Sequence, residues 1–320
     1  MSQAVLDTLA RAQTVFVASH LDPDADALGS TLGLMHLLEA QGKKVTVYSA
    51  GPIPEDLDFL PGRARITDTA PNPRAFDLGV LLDCHQPDRA GEAARNFMGD
   101  FKATAVIDHH EGEAAFGQAV WIAPDYAATA EMITTLAQKY NWQFTKDAAL
   151  CLFAGLQGDT GSFCYSNTTA RSLYTGGYLI EKGADPWLVS QEVYATRPNK
   201  IRLLALVMEK ARTYVNGKLI IAGLTLSDID GLGASPEDLE DVAEALRLIR
   251  GVSVSAFVKE RRNGTVKASL RSRGAVNVAE VALDLGGGGH HNAAGLTLES
   301  TLDEALSILE SRLAPLVKAT

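Results

Sequence analysis

The first half of the chain alternates short apolar, β-branched runs with longer stretches of helical periodicity. Runs at 14–18, 44–48, 78–82, 103–107 and 118–122 predict strands, and the segments 27–40, 127–140, 146–156 and 170–182 predict helices. Strands separated by helices predict an α/β domain: a mostly parallel sheet with helices on both faces. The helix over 27–40 carries Leu28, Leu32, Met35 and Leu38 and adds Leu34 and Leu37. Gly29 and Gly33 permit close approach, so this helix is expected to be deeply packed. From 185 to 214 a long helical pattern, interrupted at Pro198, predicts a connector. Beyond it the style changes. Runs at 218–223, 252–259 and 266–271 predict strands, the last two joined by a turn at Asn263-Gly264. Ser235-Pro236-Glu237-Asp238 predicts a helix start, and 302–313 a helix that stops before Pro315. The expected organisation is an α/β domain over 1–185, a helical linker over 186–213 and a smaller α+β domain over 214–320.

Length and composition agree with two globular domains: 320 residues, 46% of them hydrophobic. No window approaches 18 uninterrupted apolar residues, and the N-terminus lacks a basic flank followed by an apolar stretch. Neither a membrane span nor a secretory signal is therefore expected. Three cysteines (Cys84, Cys151, Cys164) without paired spacing fit a reducing, cytoplasmic setting and no structural zinc. The net charge of −10 argues against binding long nucleic acid, which relies on lysines and arginines to displace counterions. Small anionic substrates are favoured over long duplexes.

Against this background four acidic or histidine clusters stand out. His20, Asp24 and Asp26 lie in the turn between the first predicted strand and its helix. Asp83 ends the run 78–82, Asp108-His109-His110 ends the run 103–107, and Asp159 follows the helix 146–156. Three of the four sit directly after strands, and in an open parallel sheet the ligand crevice lies at that edge. Taken singly, each has a bland explanation. Asp83, Asp108 and Asp125 suit helix caps, His20 and His36 suit packing, and Asp22 and His85 suit solvated turns or loops. Taken together, His20, Asp24, Asp26, Asp83, His109 and Asp159 supply the ligands of two divalent ions roughly 3.5–4 Å apart, a pair that clamps a phosphoryl group. Imidazole and carboxylate without thiolate favour manganese, with magnesium, iron or cobalt as alternatives.

The second half adds a glycine run ending in histidine, Gly286-Gly287-Gly288-Gly289-His290, where backbone amides can approach an anion. Arg271 and Arg273 end a predicted strand and suit phosphate or base contacts, although solvated strand-end residues look the same.

These residues resemble the DHH phosphoesterase family, whose defining triplet is matched by Asp108-His109-His110. Ser19-His20 to Gly29-Ser30, Asp83, the triplet and Gly158-Asp159-Thr160-Gly161 match its four motifs. The run from Gly286 to Gly295 matches the GGGH signature of its associated C-terminal domain. The compact two-domain layout is similar to that of the NrnA-type oligoribonucleases, which also dephosphorylate 3′-phosphoadenosine 5′-phosphate (pAp). The resemblance implies a two-metal hydroxide attack that cuts short oligoribonucleotides to mononucleotides, with the active site in the cleft between the domains. It implies His20, Asp24 and Asp83 on one Mn²⁺, and Asp26, Asp83, His109 and Asp159 on the other, Asp83 bridging. His110 would lie over the reacting phosphate, and Asp108 would orient it. Arg271, Arg273, Gly288, Gly289 and His290 would hold the rest of the substrate. Ala25 departs from the glycine many relatives carry, which matters only where a positive φ is needed.

Competing expectations are a preference for linear dinucleotides, a RecJ-like single-strand exonuclease, an inorganic pyrophosphatase and a non-catalytic nucleotide-binding module. A capped cleft predicts rates that fall steeply beyond about five nucleotides, in keeping with the acidic charge. The oligomeric state is open, with a homodimer as one candidate.

Overall fold

The structure is a computed structural model that describes residues 2–318 apart from 115, 194, 240 and 241. The chain divides into one unit ending at Ala195 and another starting at Thr196.

Side-chain alternation along the strands organises the first unit. Its helices are α1 (Gln3–Arg11), α2 (Ala25–Glu39), α3 (Glu92–Phe97), α4 (Thr129–Lys139), α5 (Lys146–Asp159), α6 (Ala170–Glu181) and α7 (Pro186–Val193). Its strands are β1 (Thr14–Ala18), β2 (Lys44–Tyr48), β3 (Leu78–Leu82), β4 (Thr104–Asp108) and β5 (Ala119–Ile122). They form one parallel sheet in the order β2-β1-β3-β4-β5. Val15, Val17, Val80, Leu82, Ala105 and Ile107 face a core filled from α1, α2, α4 and α5. Their neighbours Phe16, Ala18, Leu81 and Val106 face a second core of Phe97, Met98 and Phe101. The α/β reading holds, but the two faces are unequal. One carries four helices; the other carries α3, short 3₁₀ turns and an aromatic cluster around Phe16.

Strand order reverses between β1 and β3, and a crevice opens at the carboxyl ends of strands at such a switch point. The expected metal-binding turns follow those two strands.

The second unit holds α8 (Pro198–Lys210), α9 (Leu226–Leu232), α10 (Val242–Arg247), α11 (Val278–Asp284) and α12 (Leu302–Lys318). Its six strands are β6 (Arg212–Tyr214), β7 (Leu219–Leu224), β8 (Val254–Glu260), β9 (Val266–Ser272), β10 (Gly288–His290) and β11 (Ala293–Leu298). The sheet order is β10-β11-β9-β8-β7-β6, with β7 and β8 parallel and the other neighbours antiparallel. The face of Val254, Ala256 and Val258 packs on α11 and α12. The face of Ile220, Ala222 and Phe257 packs on α8, α9 and α10.

The structure corrects three details. The helical pattern ending near 214 gives way at Arg212 to strand β6, whose partner is β7. Helix α12 continues through Pro315, because Ala305, Leu309, Leu313 and Val317 form one buried stripe at four-residue spacing. That stripe outweighs the single backbone hydrogen bond proline removes. Asp125 caps no helix: α4 starts after Ala128, and the Asp125 side chain pairs with Arg171.

Candidate metal centre

Close packing of α2 on α5 begins the construction of the site. A Cβ at Gly155 would lie 2.7 Å from Asp26 Oδ1 and 2.9 Å from Ala130 Cβ, and one at Gly33 would strike Leu152. Glycine at these crossings lets the first turn of α2, with Asp26, approach the end of α5, with Asp159. Asp24 is the N-cap of α2, its Oδ1 accepting from the Asp26 and Ala27 amides at 3.0 and 2.9 Å. Asp26 does the same for another helix. The α4 N-cap, Ala128, has no capping side chain, and Asp26 instead accepts from Thr129 N at 2.6 Å and Ala130 N at 2.9 Å.

Asp83 sits at φ 58, a left-handed conformation uncommon outside glycine. Its carboxylate lies between two clusters. Oδ2 is 3.4 Å from His20 Nε2, and Oδ1 is 3.4 Å from His109 Nε2. Thr129 Oγ1 donates to Oδ1 at 3.0 Å. His20, Asp24 and Asp83 offer ligand atoms within 4.8 Å of one another, and so do Asp26, His109 and Asp159. The six residues thus form two groups that meet at Asp83. Ligand atoms of His109, Asp83 and His110 also lie within 4.8 Å of one another. However, His110 Nδ1 is engaged by Asp108 Oδ1 at 2.8 Å, so it is not open to a cation.

Burial and mutual repulsion make ionised carboxylates costly here. Asp26, Asp83 and Asp108 are all buried. Burial, then the neighbouring Asp159, pushes the Asp26 carboxyl up to about 7. Burial, then Asp26 and Asp24, holds Asp83 well above the ordinary carboxylate range. Burial alone would lower the His109 imidazole, but the carboxylates of Asp159 and Asp26 outweigh it and raise the ring to about 9. Burial, chiefly, lowers His20. His109 Nδ1 faces the Tyr126 carbonyl at 3.3 Å, so that in the neutral ring Nε2 carries the lone pair. Nε2 is buried and makes no well-aligned hydrogen bond, although Asp159 Oδ2 stands 3.0 Å away. An orphaned imidazole nitrogen among three carboxylates fits a divalent cation.

Asp108 belongs to a different arrangement. Oδ1 accepts from His110 N at 3.0 Å and Nδ1 at 2.8 Å, while Oδ2 takes His85 Nδ1 at 2.5 Å. Burial pushes this carboxyl up, but those hydrogen bonds win and hold it at about 2. His85 is thus no free loop residue, as the sequence suggested; the buried Asp108 carboxylate binds it.

In the second unit, β9 and β10 flank β11 with Ala293 opposite both Arg271 and His290. The two side chains therefore share one row of the sheet. Arg271 lies 3.8 Å from Glu244 and donates to the Leu270 carbonyl; Arg273 and His290 are exposed. The glycines have a packing role as well. A Cβ at Gly289 would meet the backbone of Ala293 and Ala294, so this strand pairs closely with β11 only as glycine.

The model of the DHH family N-terminal domain matches residues 14–156, and that of the DHHA1 domain matches 216–314. A Thermus thermophilus protein named bifunctional oligoribonuclease and PAP phosphatase NrnA is 34% identical over 95% of this chain and 91% of its own length. The chain belongs to the DHH family. A Bacillus subtilis protein of the same name is 24% identical over 97% of this chain and 96% of its own. The crystal structure of an exopolyphosphatase-related protein from Bacteroides fragilis superposes with a TM-score of 0.90. It is 27% identical and covers 98% of this chain and 96% of that one. No helix among the described residues of this DHH-family chain is long and apolar enough to cross a membrane.

Sequence reasoning read His85 as a loop residue and passed over Thr129 and the Arg171 cluster. Arg171 stacks on Tyr126 with its guanidinium 3.7 Å from the ring centroid and reaches Asp125 and the buried Glu131. Glu131 also accepts from Ala127 N at 2.8 Å, so the loop that presents the Tyr126 carbonyl to His109 is clamped. For His85 the signal was its position two residues after Asp83. Thr129 carries none, because its role depends on where α4 starts.

Proposed function

We propose that this chain is a two-metal phosphoesterase that cuts short oligonucleotides to mononucleotides and removes phosphate from pAp. The observation that carries the reading is the pair of acid-and-imidazole groups meeting at Asp83, among buried carboxylates whose charge divalent cations would neutralise. In this reading His20, Asp24 and Asp83 hold one Mn²⁺, and Asp26, Asp83, His109 and Asp159 hold the other. Mg²⁺, Co²⁺ and Fe²⁺ are the alternatives the donor set accepts. Bound there, such ions polarise phosphoryl oxygens and lower the pKa of water.

The chain's own residues do the rest. The Tyr126 carbonyl fixes the tautomer of His109. His110, its Nδ1 held by Asp108 and its side chain half exposed, has Nε2 free to meet a substrate oxygen, donating a proton when the ring is charged. Arg271 and His290 from one sheet row, with Arg273 and the amides of Gly288 and Gly289, grip the remaining phosphate or base. Glu244 beside Arg271 makes that guanidinium a pre-oriented donor rather than a free charge. The family membership and the names of the full-length relatives support this substrate class.

The test is one manganese assay with pAp, pGpG, a five-nucleotide RNA, a long single strand and pyrophosphate as substrates. Turnover of the first three and not of the last two is expected. Turnover of pyrophosphate alone would overturn the reading, and exclusive turnover of pGpG would narrow it to linear dinucleotides.

A further inference from the structure

We propose that His85 is a positioning residue that acts through Asp108 to hold His110 in one tautomer and one orientation. Asp108 is fully buried and has two oxygens to satisfy. One accepts twice from His110, from its backbone amide and its ring; the other accepts from His85 Nδ1 at 2.5 Å. The carboxylate is thereby pinned from both sides and cannot rotate about its Cβ–Cγ bond without breaking a charge-assisted hydrogen bond. Because Asp108 has only acceptor atoms, both imidazoles must present Nδ1–H to it. That commits the other ring nitrogen of His110, Nε2, to the solvent side, where half of the side chain is exposed.

The ring of His85 is itself fixed. Its side chain is 16% exposed, and Nε2 fills the space that a Cβ at Gly112 would need, 2.5 Å from that position. Gly112 has φ 140, so glycine there serves both the turn and the seat of the imidazole. The next residue, Gln86, donates to the Glu113 carbonyl at 3.3 Å. The segment after β3 and the segment after β4 are thus tied together across Asp108. Outer partners that orient a metal-bound imidazole contribute without touching substrate, and their loss costs about 10–100-fold; the same scale is expected for a partner that orients His110.

The proposal rests on the phosphoesterase reading for its kinetic arm only. The variants are His85→Leu, which fills the space without a donor, and His85→Asn, whose side-chain amide stands where Nδ1 does. In metal-free protein labelled with ¹⁵N-histidine, long-range ¹H–¹⁵N spectra should show His110 protonated at Nδ1 in the wild type and in His85→Asn. In His85→Leu that signal should give way to a tautomeric mixture. In the manganese assay His85→Leu should lose about 10–100-fold in kcat, with KM for pAp and Mn²⁺ affinity unchanged, and His85→Asn should recover most of it. An unaltered His110 tautomer in His85→Leu overturns the proposal. So does an Asn variant that falls as far as the Leu variant, since ring shape and not the hydrogen bond would then matter. Should the wild type turn over no phosphoester, the functional reading fails and the spectra alone decide the role of His85.

Discussion

Without divalent cations the first unit should become progressively less stable as pH rises, the opposite of ordinary acid denaturation. In the metal-free protein the Asp26 carboxyl is raised to about 7, so the folded state keeps a proton that the unfolded state loses near 4. Between those values stability falls with rising pH, by about 1.4 kcal/mol per pH unit for each such proton, and above 7 this contribution is gone. Asp83 is shifted in the same direction. His109, raised to about 9 from an ordinary 6.5, extends the loss: its contribution is complete below 6.5 and disappears by about 9. Two groups of this cluster act oppositely: the contribution of Asp108, held at about 2, is complete above about 4 and constant over the window, and His20, lowered by burial, opposes the fall only below 6.5. Divalent cations replace these protons, so their stabilisation should grow with pH. At a hundredfold excess over Kd it is worth about 2.7 kcal/mol per site. The assay is intrinsic fluorescence during thermal melting, in chelator and in Mn²⁺, from pH 5.5 to 8.5. All three tryptophans, Trp121, Trp142 and Trp187, lie in the first unit, so the signal reports that unit alone. A fall of about 2–4 °C per kcal/mol is expected in chelator, with a widening gap to the Mn²⁺ curve. A chelator curve that is flat or rises over this range would refute the assignment of raised carboxyl groups to this site.

Three further outcomes follow from the packing of the site. Gly155→Ala forces a methyl against Asp26 and Ala130; a destabilisation of about 1–3 kcal/mol in urea titration and weaker Mn²⁺ binding are expected. Thr129→Val removes the hydroxyl that serves the buried Asp83, at about 1–3 kcal/mol, and Thr129→Ser should restore both stability and Mn²⁺ affinity by calorimetry. Asp83→Asn and Asp83→Ala should both abolish turnover, but asparagine tolerates φ 58 better, so the alanine variant should unfold about 1–2 kcal/mol more easily.

Much of this molecule was legible from its hydrophobic pattern. The five strands of the first sheet lie within a residue of the apolar runs, because central parallel strands are buried on both faces and leave continuous signals. In the second unit β8 and β9 were equally plain, whereas β11, with Ala293, Ala294 and Gly295, is too small-sided to announce a strand. Arg212–Tyr214 pairs only on one edge, and its sequence is as compatible with the end of a helix. The six acid and histidine residues of the two groups were legible because they end strands or flank helix termini, positions that a sheet's topology brings together without any long-range calculation. The residues that support them were not. Arg171, Glu131 and Tyr126 find each other only once α4 and α6 pack, and Asp26 caps α4 from 103 positions away in sequence.

That last contact shows how closely fold and site are joined. Asp26 is at once the cap that α4 lacks and a member of the second acid-and-imidazole group, and its burial beside Asp83 and Asp159 is costly while no cation is present. A serine or threonine at position 128 could cap α4 as well without burying any charge. The arrangement instead uses the α4 N-terminus, with its partial positive charge, to hold a carboxylate at the one place where α2, β3 and α5 converge. The amides of Thr129 and Ala130 fix the orientation of that carboxylate, and the Thr129 hydroxyl fixes Asp83 from the same turn of helix. One helix end therefore sets the spacing between Asp83, where the two groups meet, and Asp26 of the second group. The sheet places the ligands roughly, and the start of α4 sets them in register.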